Sequence, residues 1–577
     1  MPSCLYPPSS EDYMDFILHY PSRSLQSFYE LAKTECINFV SRGFAVIHTL
    51  KDKTEPLSIS RYSYSSIPKL FGLLDTTVVE SSGILPVFDQ PALQADGTGV
   101  ILGIVDTGID YTNPLFINPD GTSRVLSIWD QTINTGEMPP EISGFQPFYG
   151  ATYHQEQLNE ALRAEDPYTV VPSRDTDGHG TFMAGVAAGN RIDRPVPFSG
   201  AAPKASLAVV KLKPAKQYLR DFFLVHTEEA VFQENDIMAA VSYLLSLAGQ
   251  YRLPLVIYLG VGTNQGDHEG NGPLSQQLSN LNGYLGLAIV ASAGNEMGYH
   301  HHFMGNMAPD QEYEDIELRI GTDETGFCME MWSQQPELYT IGIVSPSGEV
   351  VDRITLPLGA ETVIPFRLDS TILTVAYQNF ESGSGNQLIF IRFENPTSGI
   401  WRIRVYPTIF ITGRFHAWLP MHGFISESTI FLRPDPNTTT TDPGNADMPL
   451  TVAAYNHTNN SIYIHSSRGY TLSGRVKPDL AAPGVDVQGP VVGAAIESDL
   501  RFTRRSGSSV AAAVAAGAIA DIFTWGFTYN HDPDLSNTAV SSLLIRGADR
   551  NPAFTYPNPI WGYGTLNLYQ TFLRNRE

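Results

Sequence analysis

Cysteine is scarce in this chain. Its three cysteines, Cys4, Cys36 and Cys328, are odd in number, widely spaced, and form no Cys-x-x-Cys pair. That pattern fits neither a disulfide framework nor a zinc site, and describes a chain that folds without an oxidising compartment. Basic residues are also few, 36 Lys and Arg against 60 Asp and Glu. The formal net charge of -24 argues against nucleic acid or an anionic membrane as the main partner, since both would be repelled. The opening Met-Pro-Ser-Cys-Leu-Tyr lacks a basic segment followed by an apolar one, so no secretory signal is read and a location inside the cell is expected. The longest membrane-like stretch, Val510 to Phe527, contains Asp521 and is rich in Ala and Gly. It reads as a buried helix, so no membrane insertion is expected. What is there is ordinary for a globular protein, 42% hydrophobic and 17% charged. A chain of 577 residues exceeds the size of one hydrophobic core, so two or three domains are expected.

Residues 1 to about 75 carry short strand-like segments (Asp15–His19, Phe39–His48) around a helical-looking stretch from Ser24 to Val40, which fits a small α/β unit. The residues from 75 to 97 read as a linker, with Ser81-Ser82-Gly83 and two prolines. The run from Gly99 to Asp106 is continuously apolar and ends in an acid, as a parallel strand buried on both faces would. Further apolar runs at Ala205–Leu212, Leu253–Leu259 and Leu287–Ala291 alternate with helical stretches at Thr227–Leu247 and Pro273–Leu281. This alternation predicts an α/β fold, a parallel sheet with helices on both faces. From about Met304 to Pro443 the helical signal disappears. Short strand-like pieces (Ile316–Ile320, Leu338–Ile343, Thr362–Leu368, Leu388–Phe393, Trp401–Tyr406, Ile409–Phe415) alternate with Gly, Pro, Ser and Asn clusters. That texture predicts an antiparallel sandwich or jelly roll inserted into the α/β domain. The expected boundaries are an N-terminal unit with linker (1–95), an α/β domain in two parts (96–303 and 445–577), and the insertion (304–444).

Three short stretches carry chemistry. Val105-Asp106-Thr107-Gly108 places an acid at the carboxyl end of a parallel strand, where α/β folds put their sites, although such an Asp can also cap a turn. Asp177-Gly178-His179-Gly180-Thr181 opens a small-residue helix, and a His between two glycines is an unusual choice for a purely structural role. Gly507-Ser508-Ser509-Val510-Ala511 places a hydroxyl at a helix N-terminus, where backbone N–H groups stabilise a developing oxyanion. Read alone, that Ser is as well explained as an N-cap.

Order and surroundings decide between these readings. Asp-Thr-Gly, His-Gly-Thr-Phe-Met-Ala-Gly and Gly-Ser-Ser-Val-Ala, in this order, resemble the subtilisin superfamily. Gly200-Ala201-Ala202-Pro203 and Ala291-Ser292-Ala293-Gly294-Asn295 resemble two further elements of that family. The resemblance covers roughly residues 97–300 and 445–570. It implies a serine endopeptidase with Ser509 as nucleophile, His179 as general base and Asp106 as its orienting acid. It also implies an oxyanion hole from the Asn295 side chain and the Ser509 backbone N–H. Substrate would pair along Gly260-Val261-Gly262 and Ala291, Ser292, Ala293 and Gly294. Two departures stand out. Gly260 replaces the family's usual Ser, and Ala513 replaces a common Pro.

The layout further resembles the clostridial Csp spore-germination proteases. The N-terminal unit, Asp106–Pro114, Ile128–Thr132, Gly262–Gly266 and the β-rich insertion all carry that likeness. It implies a prodomain that the enzyme itself cleaves and that can stay bound in the cleft, with its cut end within Tyr62–Val87. It also implies a jelly-roll insertion, a precursor of a cortex-lytic enzyme as substrate, and a cytoplasmic or spore-associated location. No cofactor is required by this chemistry. Calcium binds many relatives, yet the acid-rich loops at Asp310–Asp315 and Asp442–Asp447 do not have EF-hand spacing. The cluster His300–His302 reads as an exposed loop rather than a metal site. The competing class is a catalytically silent scaffold that binds a partner through the insertion. An esterase is disfavoured because no Gly-x-Ser-x-Gly elbow surrounds Ser509.

Overall fold

The computed structural model describes residues 4–575 except 21–35, 42, 74–81, 89, 91–92, 94, 140–148, 194–196, 356–359 and 494–501. Near the N-terminus, short apolar stretches pair locally. Strands β1 (Tyr13–His19), β2 (Ile37–Ser41) and β3 (Phe44–Leu50) form an antiparallel sheet in the order β1-β3-β2. The expected helix from Ser24 to Val40 is therefore wrong at its end, where Ile37, Phe39 and Val40 favour a pleated surface. Its remainder, apart from Cys36, lies outside the described residues. The expectation that the cysteines form no disulfide is also corrected. Cys4 and Cys36 are bonded, with Cα atoms 4.6 Å apart. Wide spacing concealed this because the Tyr13 hydroxyl accepts the amides of Leu5 and Tyr6 (2.7 and 3.1 Å) and folds the terminus back over the sheet. A last extended piece, β4 (Leu70–Leu73), leaves this unit.

The central sheet grows from the apolar runs. Its strands are β5 (Ile101–Asp106), β6 (Val125–Asp130), β7 (Ala151–His154) and, after helix α1 (His179–Ala188), β8 (Ser206–Lys211). There follow β9 (Val231–Gln233), helix α2 (Glu234–Tyr251), β10 (Leu255–Leu259), β11 (Val261–Gly262) and β12 (Leu287–Ser292). In space the sheet runs Ser461–Ile462, Leu450–Asn456, β12, β10, β5, β8, β6, β7, with Leu480–Pro483 also paired to Leu450–Asn456. Every inner pairing is parallel, and only the outermost pairings, to Ser461–Ile462 and β7, are antiparallel. Residues alternate between two cores along these strands. Leu102 and Ile104 face α1 and the long helix α3 (Ser508–Phe523), whereas Ile101 and Val105 face α2. The helical stretch Ser508–Thr528 is long and apolar enough to cross a membrane, yet all sixteen residues of α3 are buried in the core.

Residues 302–431 form two antiparallel sheets around a shared core. Six strands run in the order His302–Asn306, Arg414–Trp418, Gly326–Ser333, Gln387–Glu394, Ile372–Gln378, Glu361–Pro365. Five run in the order Val350–Ile354, Leu338–Val344, Gly399–Ile409, Glu314–Ile320, Ile430–Phe431. Phe327, Met329 and Met331 from one sheet meet Ile316, Ile341 and Ile403 from the other.

Candidate active site

The carboxyl ends of β5, β10 and β12 converge on the N-termini of α1 and α3, and each end delivers one of the singled-out side chains. Asp106 closes β5 and is fully buried. His179 opens α1, and its Nδ1 lies 2.8 and 2.9 Å from the two Asp106 carboxylate oxygens. That close approach explains the glycine after His179. A methyl group at Gly180 would stand 2.2 Å from the Gly108 carbonyl oxygen.

Asp175, two residues before the His motif begins, ties the two loops together. Its carboxylate accepts from Thr107 Oγ1 (2.9 Å), the Gly178 N–H (2.8 Å), and the Thr181 N–H and Oγ1 (2.9 and 2.6 Å). Thr107 Oγ1 in turn accepts the Gly180 N–H at 2.9 Å. The motif signals a special loop, but these donors are scattered over two segments, so no spacing rule identifies the acceptor.

Ser508 and Ser509 occupy different environments. Ser508 Oγ accepts the Gly294 N–H (3.1 Å), and the Ser508 N–H donates to Asn295 Oδ1 (3.0 Å). The Ser509 hydroxyl lies on the cleft side, 3.5 Å from the Gly260 carbonyl oxygen. With Oδ1 of Asn295 held by Ser508, the amide Nδ2 finds no acceptor among the described residues. A buried donor without a partner marks a place where a developing negative charge is welcome.

β11, which carries Val261 and Gly262, is already paired. Leu73 of β4 lies opposite Val261, and Gly72 opposite Gly262. On its other side β4 pairs with β9, Leu70 against Gln233 and Gly72 against Val231. A segment of the chain's own N-terminal unit thus forms the middle strand of a three-stranded sheet, between β11 and β9. Ala291 and Ser292 end β12, where Ala291 pairs with Leu259 and Thr451. The Ala293 N–H and C=O are engaged by Val452 and Thr441, and the Gly294 carbonyl by Ser467. The Ser292 hydroxyl is buried without a partner.

The expected exposed loop at His300–His302 is a correction. His301 and His302 are buried, and His302 Nε2 meets His416 Nδ1 at 2.9 Å. The His302 ring stacks on Trp418, which stacks on His268. Histidine reads as polar in sequence, but a stack of flat rings buries its faces. Burial pushes His302 down to about 4 and His268 to about 3. Among the described residues no group of three or more His, Cys, Asp or Glu is arranged to hold a metal ion. In the other acid-rich loop, burial raises the Asp442 carboxyl to about 7.

The model of the subtilase family matches residues 97–315 and 432–564. The chain is 23% identical over 585 residues to subtilisin-like protease SBT3.13 of Arabidopsis thaliana, covering 94% of this chain and 67% of that protein. It is 33% identical over 157 residues to SBT1.9 of the same plant, covering 25% of this chain and 19% of that protein. Among solved structures it is similar to the CspB protease of Clostridium perfringens. The TM-score is 0.74 and the identity 29%, over 85% of this chain and 97% of that one.

Proposed function

Because the chain belongs to the subtilase family of serine endopeptidases, we propose that Asp106, His179 and Ser509 are its catalytic triad. The Ser509 hydroxyl attacks the scissile carbonyl while His179 Nε2 takes its proton, later returning it to the leaving amine. Asp106, bonded to Nδ1, fixes the imidazole tautomer and stabilises the imidazolium. The Asn295 amide and the Ser509 N–H receive the oxyanion. The observation that carries this reading is the buried Asp106–His179 contact at 2.8 Å, at the same strand ends that present Ser509 and the partnerless Asn295 amide.

Residues 1–95 are a prodomain with its linker, residues 304–444 an inserted jelly roll, and the remainder the catalytic domain. Pairing of β4 with β11 supports self-cleavage within Tyr62–Val87, because a strand of the N-terminal unit lies against Val261 and Gly262 in the manner of an extended substrate. The mature enzyme acts by limited proteolysis on a protein precursor. On the likeness to the clostridial protease, that precursor is a spore cortex-lytic hydrolase cut during germination. Intact mass of wild type beside Ser509→Ala tests the chemistry. Wild type is expected to split into a small N-terminal piece and a large remainder while Ser509→Ala stays whole. Two full-length proteins would remove the self-cleavage reading. A protein absent from spores and inert toward a pro-form hydrolase would remove the germination role.

A further inference from the structure

Glu296, the residue that follows Asn295, is a carboxylate only 3% exposed and held from three separate parts of the chain. Its Oε2 accepts Asn264 Nδ2 at 2.9 Å and lies 3.2 Å from His301 Nδ1. The His422 N–H donates to both carboxylate oxygens, at 3.2 and 3.1 Å. Asn264 belongs to the loop that continues β11 beyond Gly262. His301 immediately precedes the first strand of the inserted sandwich, and His422 lies in the loop after Arg414–Trp418. Those two ends are tied to each other, since the Leu419 N–H donates to the His301 carbonyl at 2.9 Å. On the other side of Asn295, Ser467 joins the two residues that flank it. Its N–H donates to the Gly294 carbonyl and its Oγ accepts the Glu296 N–H, each at 2.9 Å.

We propose that Glu296 is a positioning residue for the oxyanion amide, a strut through which the inserted sandwich and the β11 loop fix where Asn295 stands. This rests on the reading of Asn295 as an oxyanion donor. Burying a carboxylate is costly unless its lone pairs are taken up, and simple packing at this point would be served by an apolar side chain. An anion one residue from the oxyanion site also opposes the charge that develops there. Its presence is therefore explained by what it holds. Oε2 is where the donors of Asn264, His301 and His422 converge, so a single oxygen fixes the loop against both neighbours. Glu296 touches no reacting atom, and its effect reaches the substrate only through the Asn295 amide.

Labelling of the full chain with a small alkyl fluorophosphonate tests this, read as a limiting rate and a half-saturating concentration. Only the fraction of protein that finally labels is counted, which removes molecules that failed to fold. Glu296→Leu should lower the limiting rate about tenfold to a hundredfold and leave the half-saturating concentration unchanged. Glu296→Gln keeps a carbonyl oxygen at the point of convergence and should restore labelling to near the wild-type rate. His301→Leu removes only the contact from the sandwich side and should slow labelling in the same way by a smaller factor. It carries the comparison alone if Glu296→Leu yields no labelled fraction. In an Asn295→Ala background neither Glu296→Leu nor His301→Leu should slow labelling further, because both act through an amide already gone. A merely structural role predicts equal losses in both backgrounds. Wild-type limiting rates for Glu296→Leu and His301→Leu, or losses that multiply with Asn295→Ala, overturn the strut while leaving the oxyanion donor in place. Asn295→Ala labelled at the wild-type rate overturns both together.

Discussion

The Asn295 amide has one job within the fold and one left over. Its Oδ1 is spent on the Ser508 N–H, and its Nδ2 has no acceptor among the described residues. Asn295→Ala should therefore lower kcat by about 10²–10³ with little change in KM, because the donor is used only once charge develops. Steady-state kinetics on a peptide substrate check this, and an unchanged kcat would dismiss the oxyanion role. Asp175 should behave differently. Asparagine there would keep one acceptor oxygen and turn an N–H₂ group toward the other set of donors, leaving either the Gly178 or the Thr181 amide unmatched beside His179. Asp175→Asn should lower both the urea midpoint and the labelling rate, the stability loss being about 1–3 kcal/mol for a stranded buried donor. Asp106, His179 and Ser509 could be read from the sequence because each stands inside a short local pattern. Asp175 stands just before such a pattern, and its partners come from two segments.

Elements were legible where burial is one-sided or complete in a familiar way. The runs of β5, β8, β10 and β12 announced a parallel sheet because both faces are covered by helices. The strand Gly326–Ser333 escaped notice, and its burial explains why. Phe327, Met329 and Met331 enter the sandwich core, while Cys328 and Trp332 pack on Phe222, Phe390 and the N-terminal unit. With both faces buried, the polar alternation that marks an antiparallel strand is missing. The α2 helix was read seven residues too early, since Thr227–Gln233 is taken up by a turn and β9. Helix α3 contains a separate oddity. Both Asp521 carboxylate oxygens are buried without partners, and burial raises this group well above its ordinary value. An acid raised in the folded state contributes stability below its unfolded pKa of about 4 and loses it as pH rises toward the folded value. Asp521→Asn should match wild type near pH 4 and exceed it increasingly toward pH 8, by at least about 1 kcal/mol in urea unfolding. Parallel pH dependences for the two proteins would show that Asp521 has a partner in solution.

At the scale of the whole molecule, the N-terminal unit is held by two bodies at once. The inserted sandwich contributes Glu330, whose carboxylate accepts the Tyr64 hydroxyl at 2.5 Å, and Gln378, whose amide donates to the Ile59 carbonyl at 2.9 Å. The α/β domain contributes Lys216, paired with Asp15 at 2.8 Å, both side chains about 1% exposed. Asp15 also accepts from Gln233 Nε2 at 2.8 Å and faces His48 Nδ1 at 2.7 Å. Burial alone would raise the Asp15 carboxyl, but the Lys216 and His48 charges outweigh it and hold it far below its ordinary value. Such a group stabilises the docked state above its free-chain pKa of about 4, and that contribution is lost as pH falls below it. Once the chain is cut within Tyr62–Val87, the N-terminal piece should therefore co-elute with the remainder from pH 8 to 5 and begin to separate below about pH 4. Asp15→Asn strands Lys216 in the interior, an uncompensated buried charge costing about 3–5 kcal/mol, and should weaken co-elution already at pH 7. Size-exclusion chromatography of the cleaved protein at graded pH reads both effects. If Asp15→Asn co-elutes at every pH as wild type does, the apolar contacts around Phe16, Tyr64 and Leu70 hold the unit, and the ion pair only sets its orientation.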